Sequence, residues 1–338
     1  MRRRHLLAAT AALITQRLGK AGADDPETVT VGGIQLPTNA PLFIGIEQGL
    51  FAKQGIKVNL TWFSAAASVF SAVVSRDVDI AATATTAATY NLAAKGGFRI
   101  VGGTTRDAPH FPLNAVLASN KAWDGGFTSL PAMGGKRWAM TTAGSTHHYD
   151  IGMMARKYGV PMTDIQLVPL ESYGNIIAAL QSGQVDGAIL PPSLAGRMLD
   201  AKTAHFLAWT GDEVPMQQGV VCASPQTIAR KRDTMTRFMR AYAEGTAVYH
   251  RVFNQVDAQG TPVTGGPDSA ALIAVIARYA NIKPAEAAAQ VAFIIPDLRP
   301  DQADIRQQIA FWQEAGLVAK SADFANLFDV SLLPGSPS

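Results

Sequence analysis

Ser75-Arg76-Asp77-Val78-Asp79-Ile80-Ala81 and Ser182-Gly183-Gln184-Val185-Asp186-Gly187-Ala188 are two copies of one phrase, S-x-x-V-D-x-A, set 107 residues apart (182 − 75). Each copy follows an apolar run of helical period, Ala66 to Val74 in the first and Ile176 to Leu180 in the second. Each then enters a short apolar strand, Ile80 to Ala82 or Ala188 to Leu190. Turn residues come next: Thr83, Thr85 and Thr86 in one case, Pro191, Pro192 and Ser193 in the other. Helix, tight turn, strand and loop form the grammar of a parallel α/β layer. Two such units in series predict two α/β lobes facing each other. Open α/β sheets hold ligands at the carboxyl ends of their strands, so the interlobe cleft is the candidate site.

The chain has 338 residues, a length that suits two domains. It is 48% hydrophobic and 16% charged, the balance of a folded α/β protein. Net charge is only +3, and Lys/Arg residues form no long block outside the extreme N-terminus, so no nucleic-acid partner is expected. Arg2, Arg3 and Arg4 precede an apolar stretch from Leu6 to Ile14, and Ala21-Gly22-Ala23 follows as an A-x-A cleavage pattern. This predicts a cleavable export signal over residues 1–23. Its apolar core falls well short of the roughly 20 residues that span a bilayer. Arg3-Arg4-His5-Leu6-Leu7 is similar to a twin-arginine signal, with the general secretory route open beside it. Cys222 is the single cysteine, so no disulfide can form within the chain. Its place in the apolar run Gly219 to Ala223 reads as a buried strand residue rather than a nucleophile. A periplasmic monomer is expected.

Strands are predicted at Val29 to Ile34, Ile56 to Phe63, Phe98 to Val101, Arg137 to Thr141, Ile165 to Leu170 and His205 to Trp209. Leu113 to Ser119 and Gly219 to Ala223 are apolar strands placed to cross between the lobes. Helices are predicted over Leu42 to Phe51, Thr86 to Ala94, Gly144 to Tyr158 and Tyr173 to Leu180. From Pro225 the chain is mainly helical, with one long amphipathic helix from Ile228 to Phe253 and a last helix, Gln302 to Ala315, packing through Ile305, Ile309 and Trp312. Trp123 to Gly135 reads as loop.

The stretch Ala40 to Val58, A-P-L-F-I-G-I-E-Q-G-L-F-A-K-Q-G-I-K-V, resembles the N-terminal signature of substrate-binding proteins of ABC importers. The nearest type is that for nitrate, sulfonate and taurine, with its thiamine-pyrimidine relatives. Glu47, Gly49, Leu50, Phe51, Gly55 and Val58 carry the likeness, and both S-x-x-V-D-x-A phrases fit it. Gly135-Lys136-Arg137-Trp138 and Thr142-Ala143-Gly144-Ser145 fit the opening of the family's second lobe. The resemblance implies a type II periplasmic-binding-protein fold: two α/β lobes, two crossover strands and a helical C-terminal part. Lobe 1 would span residues 24–115, lobe 2 residues 116–220, and residues 221–338 would return to lobe 1. It also implies hinge closure over a small-molecule ligand and delivery to a membrane permease with a cytoplasmic ATPase.

Gly144-Ser145-Thr146-His147-His148 is the foremost site candidate. A glycine followed by hydroxyl residues at a helix start offers free N–H groups and a positive dipole end, which suits an anion. An ordinary helix cap is the competing reading. His147 and His148 point about 100° apart on a helix, and Ile151 and Gly152 stand at their i+4 positions, so a metal site lacks ligands. Ser64, with Ser68, marks the matching helix start in the first lobe, Ser64 being the expected cap. Thr38, Asn39, Thr83, Thr85, Thr86, Tyr173 and Pro192 lie in strand-end loops, where they either contact ligand or pack a turn. Arg106 reads as a partner for a ligand carboxylate or sulfonate, or as a solvated surface residue. No G-x-S-x-G, H-E-x-x-H or C-x-x-C occurs. The relatives that act as synthases carry a cysteine-rich motif, which one cysteine cannot supply. The expectation is therefore a non-enzymatic receptor, without cofactor, for a small organic anion: a sulfonate or carboxylate, aromatic members included. A thiamine-pyrimidine-like heterocycle as ligand, or an enzyme on the same fold, is the alternative.

Overall fold

The computed structural model describes residues 25–111, 113–258, 262, 263, 266 and 268–336. The expected export signal, 1–23, lies outside the described residues.

Two five-stranded sheets form the frame, and β5 (Thr105–Arg106) pairs separately with β12 (Phe293–Ile294). The first runs β2 (Ile56–Trp62), β1 (Glu27–Gly33), β3 (Ile80–Ala84), β11 (Gly219–Ala223), β4 (Arg99–Gly103). The second runs β8 (Gln166–Pro169), β7 (Arg137–Met140), β9 (Gly187–Leu190), β6 (Ala115–Ser119), β10 (Ala204–Trp209). The plan is the same. The first strand pairs in parallel with the second and third. A strand arriving from the other lobe then runs antiparallel between the third and fourth. That strand is β11 in lobe 1 and β6 in lobe 2, so each lobe is completed by a strand that has just crossed.

The duplicated phrase builds the same joint in both sheets. Asp79 N–H donates to the Thr30 carbonyl (2.9 Å) while its carboxylate accepts from Thr30 N–H (3.0 Å). Asp186 N–H donates to the Arg137 carbonyl (2.8 Å) while its carboxylate accepts from Arg137 N–H (2.8 Å). Thr30 and Arg137 are themselves 107 residues apart (137 − 30). The aspartate thus grips the strand beside it through both backbone polar groups of one residue. Val78 and Val185 are buried beneath the turn. Arg76 (φ 70°) and Gly183 (φ 68°) both take the left-handed conformation that reverses the chain after the helix.

Helices α1 (Ala40–Glu47), α2 (Leu50–Lys53), α3 (Ala66–Ser75) and α4 (Ala87–Ala94) belong to lobe 1. Helices α5 (Asn120–Asp124), α6 (Thr146–Lys157), α7 (Tyr173–Gln181) and α8 (Pro192–Asp200) belong to lobe 2, and α9 (Thr210–Glu213) follows β10. The chain then forms α10 (Pro225–Arg230), α11 (Arg232–Phe253), α12 (Ser269–Ala280), α13 (Pro284–Ala288) and α14 (Gln302–Glu314). Alternation along the strands covers both sheet faces. Val29, Val31, Ile80 and Val221 meet Met235, Phe238 and Tyr242 of α11 on one face of lobe 1. In lobe 2, Leu117, Ala139 and Leu190 meet Ile176 and Leu180 of α7, while Val116, Trp138 and Ile189 share a core with Ile151 and Met154 of α6. Each fully buried large side chain contributes on the order of 1.5–3 kcal/mol.

Helix α14 spans the lobes. Ile305, Ile309 and Trp312 are buried as the helical period predicts. Tyr90 of lobe 1 donates to Gln308 (3.1 Å), and Gln308 donates to the Gln217 carbonyl (2.8 Å). Phe311 lies so close to Gly152 of α6 that a Cβ there would sit 2.3 Å from its ring.

Several boundaries differ from expectation. The predicted helix Leu42 to Phe51 is two helices, broken at Gly49 (φ 67°). The predicted helix Ile228 to Phe253 is interrupted at Lys231, whose backbone leaves the helical region (φ −120°) between α10 and α11. The turn expected at Pro191 to Ser193 instead begins α8, with proline in its first turn where a missing N–H costs nothing. The segment read as loop, Trp123 to Gly135, contains the end of α5 and a 3₁₀ turn at Leu130–Ala132. Among the described residues, no helix is long and apolar enough to cross a membrane.

Candidate functional site

The loops after β3 and β7, at the carboxyl ends of those strands, meet where the two lobes join. There the loop after β7 meets the start of α4: Ala87 N–H donates to the Gly144 carbonyl (3.0 Å). Gly144 has φ 80°, and a Cβ would come within 2.9 Å of the Ala87 methyl. Only glycine permits this approach. The starts of α4 and α6, one from each lobe, are thereby opposed.

Each start is organised by hydroxyls. Thr86 caps α4 in a reciprocal box with Thr89 (2.8 and 3.3 Å). Ser145 caps α6, its Oγ accepting from His148 N–H (3.4 Å). His148 Nδ1 accepts from Gly144 N–H (3.1 Å), and its ring packs edge-on against Trp312. Burial lowers the pKa of His148, which keeps that nitrogen an acceptor. His148 is therefore a brace for the Gly144 turn. Thr146, half-buried, follows at the first helical position.

The other sequence candidates divide by place. Asn39 is buried, and its amide donates to the Ile34 carbonyl (3.0 Å), closing the turn after β1; Thr38 beside it is half-buried. Thr85 is buried against Tyr90 Oη (2.9 Å). Thr83 lies within β3, opposite Val220. Tyr173 begins α7 behind the Ser172 cap, and Pro192 begins α8. The expected cap at Ser64 is corrected: Ala65 occupies the N-cap of α3 and makes no side-chain bond, while Ser64 and Ser68 are exposed. The chain turns into the helix one residue later than a hydroxyl-based reading assigns. Arg106 pairs with Asp301 (2.8 Å) and so is already neutralised.

Sequence reasoning missed a buried polar group at the pivot. The two crossings run antiparallel: Thr104 N–H to Gly219 O (2.9 Å), Gln218 N–H to Thr105 O (2.9 Å) and Asp107 N–H to Met216 O (2.8 Å). The Asp107 carboxyl, fully buried, accepts from Thr210 Oγ1 (3.0 Å) and from the Gln218 amide. Asp150 of α6 is also fully buried, and among the described residues neither of its oxygens has a partner. Burial raises the pKa of both acids, and the proximity of Asp107 raises that of Asp150 further. His147, one turn before Asp150, has an unpartnered Nδ1 and lies 5.8 Å from the Tyr173 ring. Burial pushes the His147 pKa down to about 4, so it is neutral near pH 7. The i, i+3 spacing of His147 and Asp150 was the available signal for a shared helix face. Asp107, 43 residues away (150 − 107), gave none.

Residues 22–259 match the model of the NMT1-like family. No curated protein matches. Among solved structures, the periplasmic aliphatic sulphonate binding protein SsuA from Escherichia coli is similar over 90% of this chain and 92% of its own, with TM-score 0.70 and 17% identity. The periplasmic nitrate-binding protein NrtA from Synechocystis is similar over 88% and 83%, with TM-score 0.65 and 13% identity. A mutant of DSZB in complex with biphenyl-2-sulfinic acid is similar over 91% and 97%, with TM-score 0.60 and 15% identity. At these identities the likeness establishes the fold: the two-lobed periplasmic-binding-protein arrangement anticipated from the sequence.

Proposed function

The chain belongs to the NMT1-like family, and from that premise we propose that it is a periplasmic solute-binding receptor serving an ABC importer. The observation that carries this reading is the pair of opposed helix starts at the lobe junction, joined by Ala87 N–H and the Gly144 carbonyl. A ligand held there touches both lobes at once, which is what couples capture to closure. On this reading residues 24–115 and 221–338 make lobe 1 and residues 116–220 make lobe 2, with the crossing strands β6 and β11 straddling the two boundaries, and residues 1–23 direct export. The partners are a small-molecule ligand and a membrane permease with its cytoplasmic ATPase; the receptor itself acts as a monomer.

The ligand is a small organic anion, a sulfonate or carboxylate. The loops after β1, β2, β3, β7, β8 and β9 contain no lysine or arginine in segments 34–40, 63–65, 83–87, 141–146, 170–173 and 190–193. Attraction for an anion would come from the dipoles of α4 and α6, from N–H groups and from hydroxyls such as Thr38, Thr86 and Thr146. The same lack of basic side chains, with two buried carboxyl groups beneath, favours a second reading: an uncharged nitrogen heterocycle of thiamine-pyrimidine type. SsuA and NrtA, named for sulphonate and nitrate, support the first.

Binding rather than catalysis fits the residues present. The Cys222 thiol is buried and its pKa is raised, so it is a poor nucleophile. Thermal-shift screening of the purified protein tests the reading, since a ligand that binds only the folded state raises Tm. Deletion of the receptor should abolish uptake of the compound that gives the largest shift. Unchanged uptake would refute the transport role, and turnover of that compound by the purified protein would make it an enzyme.

A further inference from the structure

Asp107, on the first crossing, and Asp150, on α6, lie near enough for the charge of one carboxyl to act on the other. Asp107 belongs to the first crossing and is tied by Thr210 and Gln218 to the second. Asp150 belongs to α6 in the body of lobe 2, and its carboxyl has no hydrogen-bond partner among the described residues. Both side chains are fully buried. Among the described residues, no lysine or arginine pairs with either. Arg106, next to Asp107, is turned to Asp301, and Arg156 on α6 to Glu314. On the second crossing Glu213 is taken by Lys157 and Tyr158. The remaining polar neighbours are His147 and Tyr149 on α6, Tyr173 on α7 and Asp304 on α14, which accepts from Gln217 N–H and Gln308. None supplies a positive charge, since His147 is held neutral by burial.

Two ionised carboxylates buried near each other without a counter-charge would cost several kcal/mol each in lost hydration, before their mutual repulsion. The closed arrangement must therefore hold at least one proton on the pair. We propose that Asp107 and Asp150 form a proton-operated hinge lock: separation of the lobes carries α6 away from the crossings and lets water reach the carboxyls, so the lobes are held together while the pair keeps a proton and released when it ionises. The sign follows from linkage. The closed form binds more protons than the open form between the solvated and buried pKa values, so closure is favoured at low pH and lost as pH rises. One linked proton makes the opening constant rise about tenfold per pH unit across that window.

The test uses the ligand-free mature protein carrying spin labels at Lys57→Cys and Gln166→Cys, exposed positions on β2 and β8, with Cys222 buried and unlabelled. Between pH 4 and 8 the interlobe distance distribution should shift from a short to a long population. Asp150→Asn, which cannot ionise, should hold the short population throughout. A distribution unchanged with pH in the wild type, or the same pH response in Asp150→Asn, overturns the proposal. If that variant does not fold, infrared spectra of the aspartate-labelled wild type decide: a protonated carboxylic acid band at pH 5 that fades as the long population grows supports the lock, and its absence at pH 5 refutes it. Neither result bears on the receptor reading, which uptake tests separately.

Discussion

The two lobes make the same strand joint with different counter-charges. In lobe 2, Asp186 grips the backbone of Arg137 and is answered by the side chain of that same residue, in a forked contact (3.1 and 2.9 Å). In lobe 1, Asp79 grips Thr30, and the cation is Lys231, 152 residues onward between α10 and α11 (2.7 Å). Lobe 2 is thus locked by a contiguous stretch of chain. The joint of lobe 1 is complete only after the chain has crossed out and returned. The repeated phrase thus encodes a local backbone clamp, while the neutralisation of its charge is left to whatever topology delivers.

Removing the aspartates in turn tests the contrast between the two joints most strongly. Asp186→Ala leaves Arg137 without its forked partner and should cost about 2–4 kcal/mol of stability in urea unfolding, since hydrogen bonds to charged groups contribute about 1.5–3 kcal/mol each. Asp79→Ala should cost less, about 1–3 kcal/mol, because the lone Lys231 contact is partly solvated. An equal or reversed order would mean that the return of Lys231, not the backbone grip, dominates lobe 1. Burial alone would raise the pKa of Asp186, but the Arg137 side chain and N–H outweigh it and hold it below the usual carboxylate range. Its stabilisation is therefore present above about pH 4 and disappears as pH falls through the lowered value. Asp186→Asn should remove that acid-side loss from the stability profile.

A second comparison exchanges the residue at the left-handed turn. Gly183→Ala should cost about 1–2 kcal/mol, from its φ of 68° and from a Cβ only 3.0 Å from the Lys121 side chain. Arg76→Gly, at the equivalent position, should stabilise by up to about 1 kcal/mol. Shifts of the same sign would show that the two turns are not equivalent.

The smallest effects compare the helix starts. Ser145→Ala removes the α6 cap and should cost about 1 kcal/mol, whereas Ser64→Ala should change Tm hardly at all, because Ala65 is the cap there. The double variant Ser145→Ala with Thr146→Val, titrated in a calorimeter with the ligand from the thermal-shift screen, separates anchoring from capping. A loss of about 10- to 150-fold in affinity means a charged group is held there. Wild-type affinity with a lowered Tm means that this segment is a cap only.

Much of this was legible in advance, and the misses are instructive. The grammar around both S-x-x-V-D-x-A phrases is local: a helical period, a tight turn and an apolar strand. Local patterns survive folding when burial rewards them, as at Ile305, Ile309 and Trp312 of α14. Gly49 and Lys231 broke helices that periodicity had joined, because periodicity measures faces and is blind to a single residue leaving the helical region. Ser64 failed because a hydroxyl near a helix start does not fix which residue turns the chain.

The two lobes and their order, the strand that each receives from the other, and the small polar residues at the strand ends could all be read from the chain, because each rests on neighbours within a few residues. Folding settled what those residues face. It set Gly144 against Ala87, turned Arg106 to Asp301, brought Lys231 to Asp79, and buried Asp150 beside Asp107 without a counter-charge. Contacts between distant segments depend on the path of the whole chain. A carboxylate's chemistry depends on the dielectric and charges around it, and neither is written in the residues beside it.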